Sequence, residues 1–278
     1  CRSFRKSFGG KGANQAYACG RLGGDAAFLN AVGDDTLGRD MVQNLRKAGV
    51  DTDAIRLKKG EPTGMAVVCV DQEGNNSIIV VPGANRCCDI EYLKQNQAYF
   101  EDCDIVLLQM EIPYESVCYA VDVASKLHKT VILNPAPAPE SLPDSIYEKL
   151  DYLTPNESEF KKLTGCPTER VEDLIAYCGR LLDKGTRNVI ITLGGRGALL
   201  VTRNGHRLYP PPKVKTVDTT AAGDTFNAAL ARKLADGCSA GEAIVFANYA
   251  SALAVSKPGA QDSVPSYEEV LTFKGSVE

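Results

Sequence analysis

No tryptophan occurs in the 278 residues, and aromatic side chains make up only 7% of them. That leaves little from which to build an aromatic platform for stacking a ligand. A surplus of positive charge is missing too, with a formal net charge of −4 and a pI near 5.4. Binding a phosphate backbone requires clustered Lys and Arg to displace counterions, so nucleic acid is excluded as a partner. The short group Arg2, Arg5 and Lys6 is read as a solvated strand or a charge-protected edge. Long apolar runs are absent as well. The longest, 105–110 and 189–193, fall far short of the roughly 20 residues that span a bilayer, so no membrane association is expected. The first residues carry no apolar stretch of the signal-peptide kind.

Metal-type cysteine spacing is also lacking. Ten Cys are too sparse for a disulfide scaffold in a chain of this length, and no CxxC or Cys/His pattern points to a zinc site. A reducing compartment follows, the cytoplasm first and the nucleus second. Cys19, Cys69 and Cys178 sit among apolar neighbours and are expected in the core, while adjacent Cys87 and Cys88 receive no role.

Hydrophobic residues at 44% and charged residues at 24% describe an ordinary globular chain, and a single domain over 1–278 is expected. Strand-length apolar runs at 27–32, 105–110, 130–133 and 189–193 are each followed by turn residues and a helical pattern. This alternation predicts an α/β fold, a mostly parallel sheet flanked by helices. The unbroken apolar run at 105–110 predicts a strand buried on both faces. Helices are expected over 36–48, 116–127, 156–163, 171–183, 223–234 and 240–255, with Pro258 and Gly259 stopping the last. Two β-rich runs, 64–70 and 77–81, are joined by Asp71-Gln-Glu-Gly-Asn-Asn76 without a helix and predict a hairpin. With the β-prone start 1–8, the hairpin is expected to form a small lid sheet, approximately 1–10 and 61–85.

The sharpest chemical signal is Asp218-Thr-Thr-Ala-Ala-Gly-Asp-Thr-Phe-Asn227, ahead of an Ala-rich helix. A turn entering a helix N-terminus presents unpaired N–H groups to an anion such as a transferring phosphoryl group, and Gly223 permits close backbone approach. Asp224 stands at the same place and could take a proton from a substrate hydroxyl. On residue type alone, a helix cap accounts for it equally well. A second signal is Phe8-Gly-Gly-Lys-Gly-Ala-Asn-Gln-Ala16, leading into a helix expected over 17–22. Gly9, Gly10 and Gly12 allow close approach to a small polyol, and Lys11 and Asn14 supply donors to its hydroxyls. Alone, this loop would read as a structural turn. Gln109-Met-Glu111 closes a strand, where open α/β sheets bind ligands.

Both motifs, in this order, resemble the signatures of the ribokinase-like (PfkB-type) sugar kinases, and the resemblance runs from the first residues to about Pro265. It implies a three-layer fold with a small β-sheet lid. It makes Asp224 the catalytic base beside an anion hole of Ala221, Ala222 and Gly223, where the family usually has Gly-Ala-Gly. Sugar contacts pass to Gly10, Lys11, Gly12, Ala13, Asn14, Glu111 and Asp224. Asn156-Glu-Ser-Glu159 resembles the family's Asn-x-x-Glu, with Asn156 and Glu159 near the nucleotide phosphates and the Mg²⁺ hydration shell; an ordinary helix start is the alternative. Thr192-Leu-Gly-Gly-Arg-Gly197 resembles the nucleotide loop, carrying Thr192, Gly194, Gly195, Arg196 and Gly197, with a plain β-turn as alternative. Gly223 also falls to the nucleotide, and Asn248 to the adenine unless it faces solvent.

The family further implies a monovalent cation, commonly K⁺, held at Asp218, Thr220, Ala254, Lys257, Gly259 and Ser263. Family members open with a strand and a Gly-Ser-x-Asn-x-Asp-like segment, whereas this chain opens at the lid, so the resemblance implies a missing first strand. The implied activity is ATP-dependent phosphorylation of D-ribose at its 5-hydroxyl by a homodimer joined through the lid. Alternatives are fructokinase-like or nucleoside-kinase-like specificity, or a non-catalytic truncated form. Gly-Lys-Gly-Ala-Asn-Gln and Asn134-Pro-Ala-Pro-Ala138 favour ribose.

Overall fold

A computed structural model describes residues 6–70, 76–167 and 170–277. The chain opens with α1 (Lys11–Arg21), β1 (Ala31–Gly33), α2 (Thr36–Lys47) and β2 (Arg56–Lys58), then β3 (Met65–Val70) and β4 (Asn76–Val81). Next come α3 (Ile90–Gln95), α4 (Gln97–Asp102), β5 (Ile105–Leu108), α5 (Tyr114–Lys126), β6 (Thr130–Leu133), α6 (Asp144–Tyr147) and β7 (Tyr152–Leu153). The last part holds α7 (Glu157–Thr164), α8 (Val171–Asp183), β8 (Asn188–Thr192), β9 (Ala198–Thr202), β10 (Gly205–Tyr209), α9 (Ala222–Ala235), α10 (Ala240–Val255) and α11 (Tyr267–Val277).

The main sheet runs β10-β9-β8-β7-β6-β5. Its strands β5 to β8 are parallel, and β9 and β10 are antiparallel. Successive side chains of a strand point to opposite faces, and that alternation builds two cores. Val189, Ile191, Leu199 and Val201 join α5 and α8 on one face. Ile190, Ala198 and Leu200 join α9 and α10 on the other. The small residues of α9 and α10 are buried all along their contact, which lets the two helices pack closely.

Several expectations change. Among the described residues, strand β5 pairs only with β6 and so lies at the edge of the sheet, and Ile105, Val106 and Leu107 are half-buried rather than covered on both faces. The run 27–32 becomes a three-residue strand because Ala27 makes only an isolated bridge to Asp51. Strands β1 and β2 form a separate parallel pair. The expected hairpin is β3–β4, in antiparallel register with Val67 opposite Ile79. Lys6 to Gly10 have no regular structure and belong to neither hairpin strand, and residues 1–5 and 71–75 lie outside the described residues. Cys69, on this hairpin away from both cores, is exposed, which corrects the core reading. Cys178 is buried as expected. Cys88 gains a place: its thiol points at the Leu29 carbonyl inside the core, and burial pushes its pKa up to about 12.

The hairpin is fastened at its base. Asp35 caps α2 by accepting from the Gly38 N–H, and the same carboxylate accepts from both the N–H and the hydroxyl of Thr63. These hydrogen bonds, the Thr63 hydroxyl first, hold the Asp35 pKa below the usual carboxylate range. Thr63 also accepts from the Gly33 N–H, so the end of β1, the start of α2 and the base of the hairpin form one joint. Gly64 and Gly83 complete it, since a Cβ on either would press into backbone of the opposite limb.

Candidate active site

The site residues collect where open α/β sheets bind ligands, beyond the C-terminal ends of the parallel strands. Glu111 follows β5, Asn134 follows β6, Thr154 and Asn156 follow β7, and Gly194 follows β8. The glycine-rich motif arrives differently from expectation. Helix α1 begins at Lys11, not after Ala16, because Gly10 turns the chain at φ 90° and its carbonyl takes the first helical bond from the Asn14 N–H. Lys11, Asn14 and Gln15 therefore stand on the first turns of a helix. No side chain of Gly10 caps that end. Instead the Lys11 N–H donates to Glu111 Oε2 at 2.8 Å, so a residue a hundred positions away satisfies one orphan donor. Burial raises the Glu111 pKa, while that bond and the Lys11 charge work against the shift.

Asp224 lies in the first turn of α9, 7% exposed. Its Oδ2 accepts from Asn14 Nδ2 at 2.8 Å and its Oδ1 from Gln15 Nε2 at 3.0 Å. The end of α9 has no side-chain cap, and a Cβ on Gly223 would meet nothing within 4 Å, so backbone N–H groups there border open space. The N-cap, Ala221, is left-handed at φ 59°. A residue with a Cβ is costly in that conformation, which explains why the family favours Gly. We expect Ala221→Gly to raise unfolding free energy by about 1 kcal/mol; unchanged or lower stability in a denaturant titration would show that the turn carries no such strain.

The nucleotide-type motifs meet across the sheet end. Asn156 forms a parallel bridge with Thr192, and the Thr192 N–H donates to the Pro155 carbonyl. Asn156 and Glu159 make a reciprocal capping box on α7, so the helix-start reading holds structurally. Glu159 nonetheless lies near enough to Asp224 and Lys11 to feel their charges. Burial raises its pKa, and the charges of Lys11 and Asp224 reach both Glu159 and Glu111. Arg196 pairs with Glu157. A Cβ on Gly194 or Gly195 would meet nothing within 4 Å, whereas one on Gly197 would collide with the Tyr209 carbonyl oxygen. Asn248 does not face solvent: it is buried and donates to that same carbonyl at 2.9 Å.

The residues expected around a monovalent cation are also drawn together. Asp218 accepts from the Thr220 N–H through one oxygen and from the Gly259 N–H through the other, tying the approach to α9 onto the loop after α10. Ala254 O accepts from the Lys257 N–H, while the Lys257 ammonium turns outward to Glu269 and Ser263 Oγ donates to Ala260 O. One carboxylate among hydroxyls and carbonyls is an all-oxygen set of the kind that suits a hard cation. Among the described residues, no group of three or more His, Cys, Asp or Glu could hold a metal ion.

Gln15, Gln109, Asn134, Thr154, Asn227 and Gln261 escaped the sequence reading as site residues, although Gln15, Gln109, Asn134 and Asn227 stand inside quoted motifs. They form a buried amide network around Asp224.

A buried carboxylate at an uncapped helix N-terminus, beside a glycine-lined opening and amide donors, is an arrangement that can serve the transfer of an anionic group to a hydroxyl. The profile of the pfkB family carbohydrate kinases matches residues 1–267. The chain is 38% identical over 272 residues to ribokinase of Haemophilus influenzae, covering 98% of this chain and 89% of that one. It is 34% identical over 267 residues to deoxyribokinase of Salmonella typhimurium, covering 96% and 87%. The structure of Arabidopsis thaliana ribokinase complexed with ribose and ATP superposes with a TM-score of 0.93 at 34% identity, covering 98% of this chain and 89% of that one. The protein belongs to the pfkB family of carbohydrate kinases.

Proposed function

We propose that this kinase transfers the γ-phosphoryl group of ATP to the 5-hydroxyl of D-ribose, giving ribose 5-phosphate and ADP. The observation that carries the reading is the buried Asp224 carboxylate, held by Asn14 and Gln15 at the open N-terminus of α9. In that geometry Asp224 takes the proton of the 5-hydroxyl as its oxygen attacks the γ-phosphorus, and the bond to the ADP oxygen breaks. The N–H groups of Gly223 and Asp224 receive charge on the transferring oxygens, the Ala222 N–H being donated to the Thr219 carbonyl. Lys11 and Glu111 stand where they can bind and orient the sugar, and Asn156, Glu159, Thr192 and Gly194 border the nucleotide side.

Mg²⁺ on the nucleotide would neutralise phosphate charge, with Glu159 positioned toward its hydration shell. A potassium ion would sit at Asp218 and neighbouring carbonyls, ordering the turn into α9. The lid hairpin carries apolar side chains on both faces, Val67 and Ile79 on one and Val68 and Val80 on the other, each between 46% and 62% exposed. We assign one face to closing over the sugar and the other to a second copy of the chain; a monomer in sedimentation velocity would remove the dimer.

The test is ADP release by the purified protein in Mg²⁺ and K⁺ buffer with D-ribose, 2-deoxy-D-ribose, D-fructose or adenosine. Selective turnover of ribose supports the reading. Preference for another acceptor reassigns the substrate, and equal rates in K⁺ and a bulky organic cation remove the potassium site.

A further inference from the structure

The amide network around Asp224 has a direction, and that direction is imposed by the backbone. Asn134 Nδ2 donates to the Thr154 carbonyl at 2.9 Å. A carbonyl can only accept, so Asn134 must turn its own oxygen the other way, toward Gln15. There Asn134 Oδ1 accepts from Gln15 Nε2 at 3.1 Å. On the far side, Gln109 Nε2 donates to Gln15 Oε1 at 2.5 Å. All three hydrogen-bonding directions of the Gln15 amide point to a partner: one N–H to Asn134, the other to Asp224, and the oxygen to Gln109. Gln15 is 1% exposed, so no water competes for these places. Flipping its amide would set its oxygen against the oxygens of both Asn134 and Asp224 and strand the Gln109 donor. A buried polar group left in that state is costly, which locks the orientation.

The consequence falls on Asp224. The outer torsion of an aspartate is broad and roughly two-fold, so packing alone does not fix the plane of its carboxylate. Two donors from successive residues of one helix turn do fix it, Asn14 at one oxygen and Gln15 at the other. Asn14 is oriented in turn by Gln261, whose Nε2 donates to Asn14 Oδ1 at 3.2 Å. Each of the hydrogen bonds of Gln15 goes to another protein side chain, which leaves its amide no free direction toward a substrate.

We propose that Gln15 is a positioning residue for phosphoryl transfer: its amide, oriented by Asn134 and Gln109, holds the Asp224 carboxylate in the plane from which it receives the substrate proton. This rests on the proposed function, in which Asp224 is the base. Misplacing a reacting group by about 1 Å costs ~10²-fold in rate. Gln15→Met keeps the length of the side chain and removes both donors, so its kcat with ribose should fall by about 10²-fold. The ribose KM should move much less, and nucleotide affinity by calorimetry should be unchanged. Gln109→Met, a change at a more accessible side chain, frees the Gln15 oxygen only and should lower kcat by up to about 10-fold.

The deciding readout is the pair with Asp224, followed by single-turnover kinetics. If Gln15 acts through Asp224, the Gln15→Met change has no further effect in an Asp224→Asn background. A loss of kcat that is fully additive there, or a rise in ribose KM with kcat intact, overturns the proposal and makes Gln15 a structural or sugar-binding residue. Wild-type kcat in a folded Gln15→Met also overturns it. Should that variant fail to fold, Gln109→Met decides, and an unaltered kcat there rejects the proposal. The two readings fail separately. Turnover that survives Asp224→Asn defeats the base assignment and this inference together, whereas an inactive Asp224→Asn with a fully active Gln15→Met defeats this inference alone.

Discussion

Asp224→Asn is expected to lower kcat by ~10²–10⁴-fold, the scale of a positioned general base, with little change in nucleotide affinity. The substitution keeps the shape of the side chain and the helix start, but it takes away the proton acceptor. It also has a structural side. Both carboxylate oxygens of Asp224 accept from amide donors, Asn14 on one and Gln15 on the other. An amide in its place must turn N–H₂ toward one of those donors, so one hydrogen bond is lost at a cost of about 1–3 kcal/mol. Steady-state kinetics beside a calorimetric ATP titration separates the two effects. A variant that binds ATP normally and turns over slowly has lost its base, and a variant that keeps its turnover removes Asp224 from that role.

Gly197→Ala is expected to cost on the order of 3 kcal/mol or more and to lower the melting temperature by roughly 6 °C or more. Gly197 sits at φ 92° and ψ −134°, where residues with a Cβ are strained. The added methyl would also strike the Tyr209 carbonyl oxygen and the Pro211 ring. Tyr209 cannot give way freely, because its carbonyl also accepts from the buried Asn248. The strain should pass to the loop that carries Gly194 and Gly195, and ATP affinity should fall with stability. Gly195→Ala is the control: a Cβ there meets open space, and the change should stay within about 0.5 kcal/mol. Equal melting temperatures for the two variants would show that Gly197 serves nucleotide approach and not packing.

Much of the framework was legible beforehand. Helices α8 and α10 run over 171–183 and 240–255, the limits their apolar patterns indicate. The hairpin, the placement of Asp224 at a helix N-terminus and that of Glu111 beyond a strand were equally readable. Other elements were not. A two-residue strand such as β7 carries no periodicity, and the glycine-rich start hid the beginning of α1 because Gly is read as a helix breaker. The β9–β10 hairpin did offer a signal, Asn204 and Gly205 between two β-rich runs, although the register puts the two-residue turn at Arg203-Asn204, with Gly205 opening β10.

The amino-acid sequence by itself determined the longer helices and the β3–β4 hairpin, the signatures at both ends of the chain and the presence of a carboxylate at the start of α9. Those features depend on residues within a few positions of one another. Only the tertiary structure decided that β5 lies at the edge of the sheet among the described residues, that Gly197 is held against Tyr209, and that Gln15, Asn134 and Gln109 converge behind Asp224. The reason is distance along the chain. Asn14 and Asp224 meet across 210 positions, and which distant amides become neighbours is set by the order in which the sheet arranges its strands.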